Sequence, residues 1–123
     1  MTLKERFTSY INGVENLVDL ENDLILLRNN QPDATNRDIT IDAAEEILTM
    51  KNRISSETTR FNKLSEESLA LEEKIISDLS IIGAKKVRIP IGTQIYHVEV
   101  RNTLVTGLLG QDQFESELFY TRS

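Results

Sequence analysis

His97 is the only histidine in the chain, and there is no cysteine. Thiolate metal sites and disulfides are thereby excluded. So are helical motifs that need two histidines. No Glu-x-x-His pair of the di-iron bundle type is present. Neither a glycine-rich phosphate loop nor a calcium-binding loop occurs. A nucleophile–histidine–acid triad would have to use His97. That residue falls in an alternating, strand-like run facing Arg88, where it reads as a surface residue. The pairs Glu45–Glu46, Glu66–Glu67 and Glu72–Glu73 are adjacent only along the chain. On a helix, consecutive side chains splay by about 100° and do not converge on one substrate. They read as the solvated flank of a helix. The expectation is a protein that is not an enzyme and holds no cofactor and no metal.

One cluster has a different character. Lys85, Lys86, Arg88 and Arg101 surround Tyr96 and His97 in a chain whose formal charge is −6. Cations beside an aromatic ring can meet a phosphate backbone and stack a base, as strand-based nucleic-acid readers do. The same lysines directly follow a long helix and can instead neutralise the negative end of its dipole. The overall acidity argues against a surface built to grip duplex DNA, so capping is the preferred reading. Nucleic acid is kept as an alternative partner through Lys85, Lys86, Arg88, Tyr96 and Arg101.

The elements that position these residues can be read from hydrophobic spacing. With 123 residues, 39% of them hydrophobic and 28% charged, the chain has enough apolar material for one folded domain. From about residue 2 to 28, apolar residues recur at Phe7, Tyr10, Ile11, Val14, Leu17, Val18, Leu24 and Ile25. This is the three–four spacing of a helix with one buried face. Thr2 and Glu5 have the spacing of a capping box. Leu20 and Leu27 widen the stripe, and Glu21 and Arg28 interrupt it at heptad spacing. Residues 29–39, with Pro32 among Asn, Asp and Thr, form a reversing loop. A second helix spans about 40–82, capped by Thr40 or by Asp42 with Glu45. One heptad seam holds Ile47, Ile54, Phe61, Ser68, Ile75 and Ile82. The other holds Ala43, Met50, Glu57, Leu64, Leu71 and Asp78.

These helices predict a long antiparallel helical hairpin, coiled-coil-like, over residues 1–82. At 1.5 Å per residue the second helix is about 60 Å long and the first about 40 Å. The surplus carries the apolar run ALEEKIISDLSII, which needs a cover. Residues 83–101 supply one as a β-hairpin. Gly83 ends the helix, and Gly92–Thr93 form a two-residue turn of the glycine-first type. The alternation then sets Val87 opposite Val98, Ile89 opposite Tyr96 and Ile91 opposite Gln94. A slip of one residue would mix the faces. Pro90 fits only if its missing donor points outward. The tail 102–123 is rich in apolar groups, including Leu104, Leu108, Leu109, Phe114 and Leu118, but Gly107 and Gly110 break its period. It is expected to dock as a third strand, as a short helix, or on a neighbouring molecule. The fold class is mainly α, in an α+β arrangement, one domain overall.

The helix LALEEKIISDLSII followed by Gly83, Lys85, Lys86, Val87 and Ile89 resembles small phage-encoded coiled-coil proteins. Among these is the host-nuclease-inhibitor (Gam-like) group. The resemblance covers about the central third of the chain. It implies a phage setting and binding of DNA ends rather than catalysis, and it assigns no residue a role. The acidic charge and the late hairpin differ from that group, whose hairpin joins two long helices.

The wide stripe on the first helix exceeds what one partner helix covers. Self-association as a dimer or trimer is therefore expected. Its shared core would be Phe7, Tyr10, Val14, Leu17, Leu24, Ile47, Ile54, Phe61, Ile75, Leu79 and Ile82. The functional expectation is a non-catalytic protein acting through protein–protein contacts, such as a small phage structural or assembly component. An acidic inhibitor of a host protein is the alternative, alongside nucleic-acid binding. No stretch reaches the ~20 apolar residues of a membrane helix, and the start lacks a signal-peptide core. A cytoplasmic or virion location follows as an expectation, with another phage or host protein as a further partner.

Overall fold

The computed structural model describes residues 1–107, 110 and 112–123. Two long helices precede a three-stranded antiparallel sheet, an α+β arrangement. Helix α1 spans Leu3–Asn29 and helix α2 spans Ile41–Ile82. Strand β1 is Val87–Ile91, β2 is Gln94–Thr106 and β3 is Asp112–Arg122, in the sheet order β1-β2-β3. The chain divides into two compact units. One joins Met1–Ile11 to Leu69–Ser123, and the other is Asn12–Ser68.

The helix ends form where the sequence places stop and start signals. Thr2 N–H donates to Glu5 Oε1 and Glu5 N–H to Thr2 Oγ1, both at 3.1 Å. These bonds satisfy amides that the first turn leaves free, and they hold the Glu5 carboxyl below its ordinary pKa. Of the two caps expected for α2, Thr40 is the one used, its Oγ1 accepting from Ala43 N–H at 3.2 Å. Gly83 closes α2 at φ 72°, its N–H donating to the Leu79 carbonyl at 3.0 Å. An L side chain there would carry a steric cost that glycine avoids.

In the unit Asn12–Ser68 the partly buried positions of α2 follow the heptad read from sequence: Ile47, Met50, Ile54, Glu57, Phe61 and Leu64, then buried Ser68. On α1, Leu20 and Leu24 are buried. Gly13 is a close-approach position, since a Cβ built there would meet Ser68 Oγ at 3.0 Å. Arg28 Nη2 donates to Thr58 Oγ1 at 3.3 Å, so this residue reaches a neighbouring helix.

In the other unit, the first turns of α1, the last turns of α2 and the sheet enclose Phe7, Ile75 and Val98 completely. Phe7 meets Tyr96 edge-on at 5.5 Å and Tyr120 at 5.8 Å, and Tyr10 packs on Tyr120 at 6.2 Å. Burial in this cluster, with Glu72 and Tyr120 adding repulsion, pushes the Tyr10 hydroxyl up to about 12. Arg6 and Asp78 pair across the two helices. The register of β1 on β2 pairs Val87 with Val98, Ile89 with Tyr96 and Ile91 with Gln94. Gly92 takes φ 61° at the first turn position, as a glycine-first turn requires.

The strand pairing extends beyond the expected hairpin boundary at residue 101. β2 runs on to Thr106 because β3 pairs with it from Tyr96↔Arg122 to Thr106↔Asp112. Of the three fates open to the tail, the chain takes the third strand. The apolar residues Leu108 and Leu109, counted among the tail's docking groups, lie outside the described residues. The cover over the end of α2 is narrower than the sequence implies. Ile75 and Leu79 are buried, whereas Ile81 and Ile82 stay exposed. Ile75 and Leu79 stand one turn apart on one face; Ile81 projects elsewhere, and at Gly83 the chain turns away.

Candidate functional site

The outward face of the sheet is the site that sequence chemistry singles out. Along β2, side chains alternate between the two faces. Tyr96, Val98 and Val100 lie on the inward face, and His97, Glu99 and Arg101 on the outward one, beside Arg88 of β1 and Phe119 of β3. Lys86, His97, Glu99, Arg101, Phe119 and Thr121 line a shallow depression of about 90 Å³ there. Glu99 Oε1 accepts from Arg101 Nε at 2.7 Å and Nη2 at 2.6 Å. The Arg101 guanidinium also lies 4.2 Å above the Phe119 ring, a cation–π contact. Arg101 is therefore committed within its own sheet.

His97 Nε2 lies 3.3 Å from Ser123 Oγ, and that hydroxyl donates to the Ile95 carbonyl at 3.4 Å. Which of the two groups donates depends on the imidazole tautomer. The nearby carboxylate, Glu99, is held by Arg101. Among the described residues, no group of three His, Cys, Asp or Glu is placed to hold a metal ion, and no helix is long and apolar enough to cross a membrane.

The five residues considered for nucleic-acid contact do not share one surface. Lys85, Lys86 and Arg88 are exposed. Tyr96 is only 6% exposed, on the inward face against Phe7 and Tyr120. It has no free ring face for a base and is removed from that set. Arg101, bound to Glu99, would have to exchange one partner for another.

The expected oligomer stripe also separates by burial. Phe7, Tyr10, Leu24, Ile75 and Leu79 are already enclosed by their own chain, which leaves a second copy little to cover. Val14, Leu17, Ile47, Ile54 and Phe61 are partly buried, and Ile82 is exposed. The apolar groups left in water are different ones. Val18 and Ile25, one heptad apart on α1, are exposed, as are Leu26 on the same helix and Leu48 and Leu69 on α2. On the sheet, Leu104 and Phe114 face each other across β2 and β3 at 54% and 76% exposure. This pair could have been found by continuing the inward-facing alternation of β2 through Val100 and Asn102 to Leu104. Only the pairing with β3 places Phe114 beside it.

No family model matches the chain, and neither a curated protein nor a solved structure matches it.

Proposed function

We propose that the chain is a non-catalytic, self-associating protein that works by presenting surfaces to other protein, in the manner of a small structural or assembly component. The observation that carries this reading is the set of large apolar side chains in water. Ile81 is 81% exposed, with Ile82 beside it, and Leu104 and Phe114 form a further pair. Large apolar side chains left in water, of which Leu104 and Phe114 are direct cross-strand neighbours, are the residues that contact sites use. The helices are read as an antiparallel coiled-coil-like hairpin. Support comes within each unit, where early α1 residues meet late α2 residues: Arg6 with Asp78, and Gly13 with Ser68. A phage setting rests on the segment from LALEEKIISDLSII through Gly83, Lys85, Lys86, Val87 and Ile89. Light scattering at low micromolar concentration tests the proposal. A mass two or three times that of the 14.0 kDa chain is expected, and a compact monomer refutes it.

A second reading, an acidic binder of a host protein, is favoured by one feature. Asp42, Glu45 and Glu46 line an open cleft of about 720 Å³ with Leu27, Thr49, Met50 and Arg53. Capture of a stoichiometric host enzyme that is lost on changing Glu45 and Glu46 to Gln would favour this reading over self-assembly.

A further inference from the structure

The sheet has three backbone edges that differ in how they are protected. Ile95 and Ser123 exchange both backbone hydrogen bonds, at 3.2 and 3.0 Å. The odd-numbered residues of β2 therefore direct their N–H and C=O groups at β3, and the even-numbered ones point the other way. In the register observed, Gln94, Tyr96 and Val98 use those groups on β1, which ends at Val87. Among the described residues, no strand pairs with Val100, Asn102, Leu104 and Thr106 on that side. An unpaired row of this kind is a template for another strand.

The other two edges carry the features that discourage strand addition. β1 is five residues long, and its register directs the Pro90 nitrogen outward, where a ladder donor would be needed. β3 bears Glu115 and Glu117, so pairing with its own copy would bring like charges together. The open stretch of β2, VRNTLVT, has one charge, Arg101, which Glu99 already neutralises. It has no proline. Its exposed Leu104 continues, through Phe114 and Leu118, the apolar face that the core buries.

We infer that two copies of this chain join through this edge of β2, residues 100–106, antiparallel and centred on Thr103, merging two three-stranded sheets into one. The inference rests on the self-association proposed above and names its surface. The occupant is a second copy because the segment is self-complementary in this register. Val100 faces Thr106 of the second copy, Asn102 faces Leu104, Arg101 faces Val105, and Thr103 faces itself. No like charges are opposed. The two Leu104 side chains become diagonal neighbours, within reach of each other. The even-numbered residues supply about eight backbone hydrogen bonds, two per facing pair. Because the pairing stops at Val100, neither copy intrudes on the stretch of β2 held by β1.

A cysteine-free chain makes the geometry directly testable. Thr103 would face its copy as a non-hydrogen-bonded pair, with Cα atoms about 4.5 Å apart, inside the range a disulfide spans. Under mild oxidation the Thr103→Cys chain should give a covalent dimer in at least about tenfold greater yield than Glu115→Cys, which puts the thiol on the β3 edge. Leu104→Pro removes an edge-facing donor that no strand pairing among the described residues uses. It should weaken dimerisation at least about a hundredfold in sedimentation velocity while keeping the wild-type far-ultraviolet spectrum. A wild-type dimer that Leu104→Pro leaves intact, with no preferential cross-link at position 103, overturns the edge while self-association stands. A monomeric wild type overturns both.

Discussion

Replacing Phe7 with alanine tests the centre of the unit formed by Met1–Ile11 and Leu69–Ser123. The ring is wholly enclosed and meets Tyr10, Tyr96 and Tyr120 at centroid distances of 6.3, 5.5 and 5.8 Å. Truncating a buried phenylalanine costs about 3–5 kcal/mol. Losing three aromatic neighbours places this case toward the upper end. Domains of this size are stable by about 5–15 kcal/mol, so the variant should lie close to the limit of folding. With a urea slope of about 1–3 kcal/mol/M, the midpoint should fall by roughly 2 M. Ile41→Ala is the control, an apolar truncation at a 71% exposed position outside the surfaces proposed for association, and should change stability by no more than about 0.5 kcal/mol. Both are followed by circular dichroism at one fixed protein concentration, because association would itself raise the midpoint. If the two variants shift equally, or Phe7→Ala shifts by less than about 0.5 M, the aromatic cluster is not the core of this unit.

Other perturbations have equally definite signs. Gly13→Ala alone should bring no stability, because its methyl meets Ser68 Oγ at 3.0 Å. Combined with Ser68→Ala it should gain up to about 1 kcal/mol of helix propensity, read by thermal unfolding. Gly83→Ala, at φ 72°, should cost about 1–2 kcal/mol in the same assay. Tyr10 titrates higher when folded, up to about 12 against an ordinary value near 10. Its neutral form thus favours the fold fully below pH 10, and that contribution disappears as pH rises through 12. Alkaline denaturation should accordingly be less steep between those limits in Tyr10→Phe. Thr40→Ala should cost about 0.5–2 kcal/mol by removing the cap of α2.

Local signals in the chain specify local structure. Thr2 with Glu5, Thr40, Gly83 and the pair Gly92–Thr93 each act within a few residues, and the helix limits and the β1–β2 register follow from them. The third strand was less legible. Leu118, Phe119 and Tyr120 are consecutive apolar residues that hide the alternation, since Phe119 faces outward beneath Arg101 while its neighbours face in. The aromatic cluster could not be seen at all, because Phe7 and Tyr120 lie at opposite ends of the sequence. For the candidate site, alternation put Tyr96 on the inward face, yet its nearness in sequence to Lys85, Lys86 and Arg88 suggested a shared surface. The sheet separates what the chain brings close. The open edge at 100–106 depends on where β1 stops relative to β2, a relation between strands that composition does not carry.

The unit containing Phe7 is built from two distant pieces of chain, with Asn12–Ser68 intervening. During synthesis, Phe7 and Tyr10 leave the ribosome long before Tyr96 and Tyr120 exist to receive them. Until β3 emerges, the greasy first turns of α1 wait in water or on a chaperone. Slow synthesis of the stretch between Tyr10 and Tyr120 would then lengthen the time for which this apolar surface is open to aggregation.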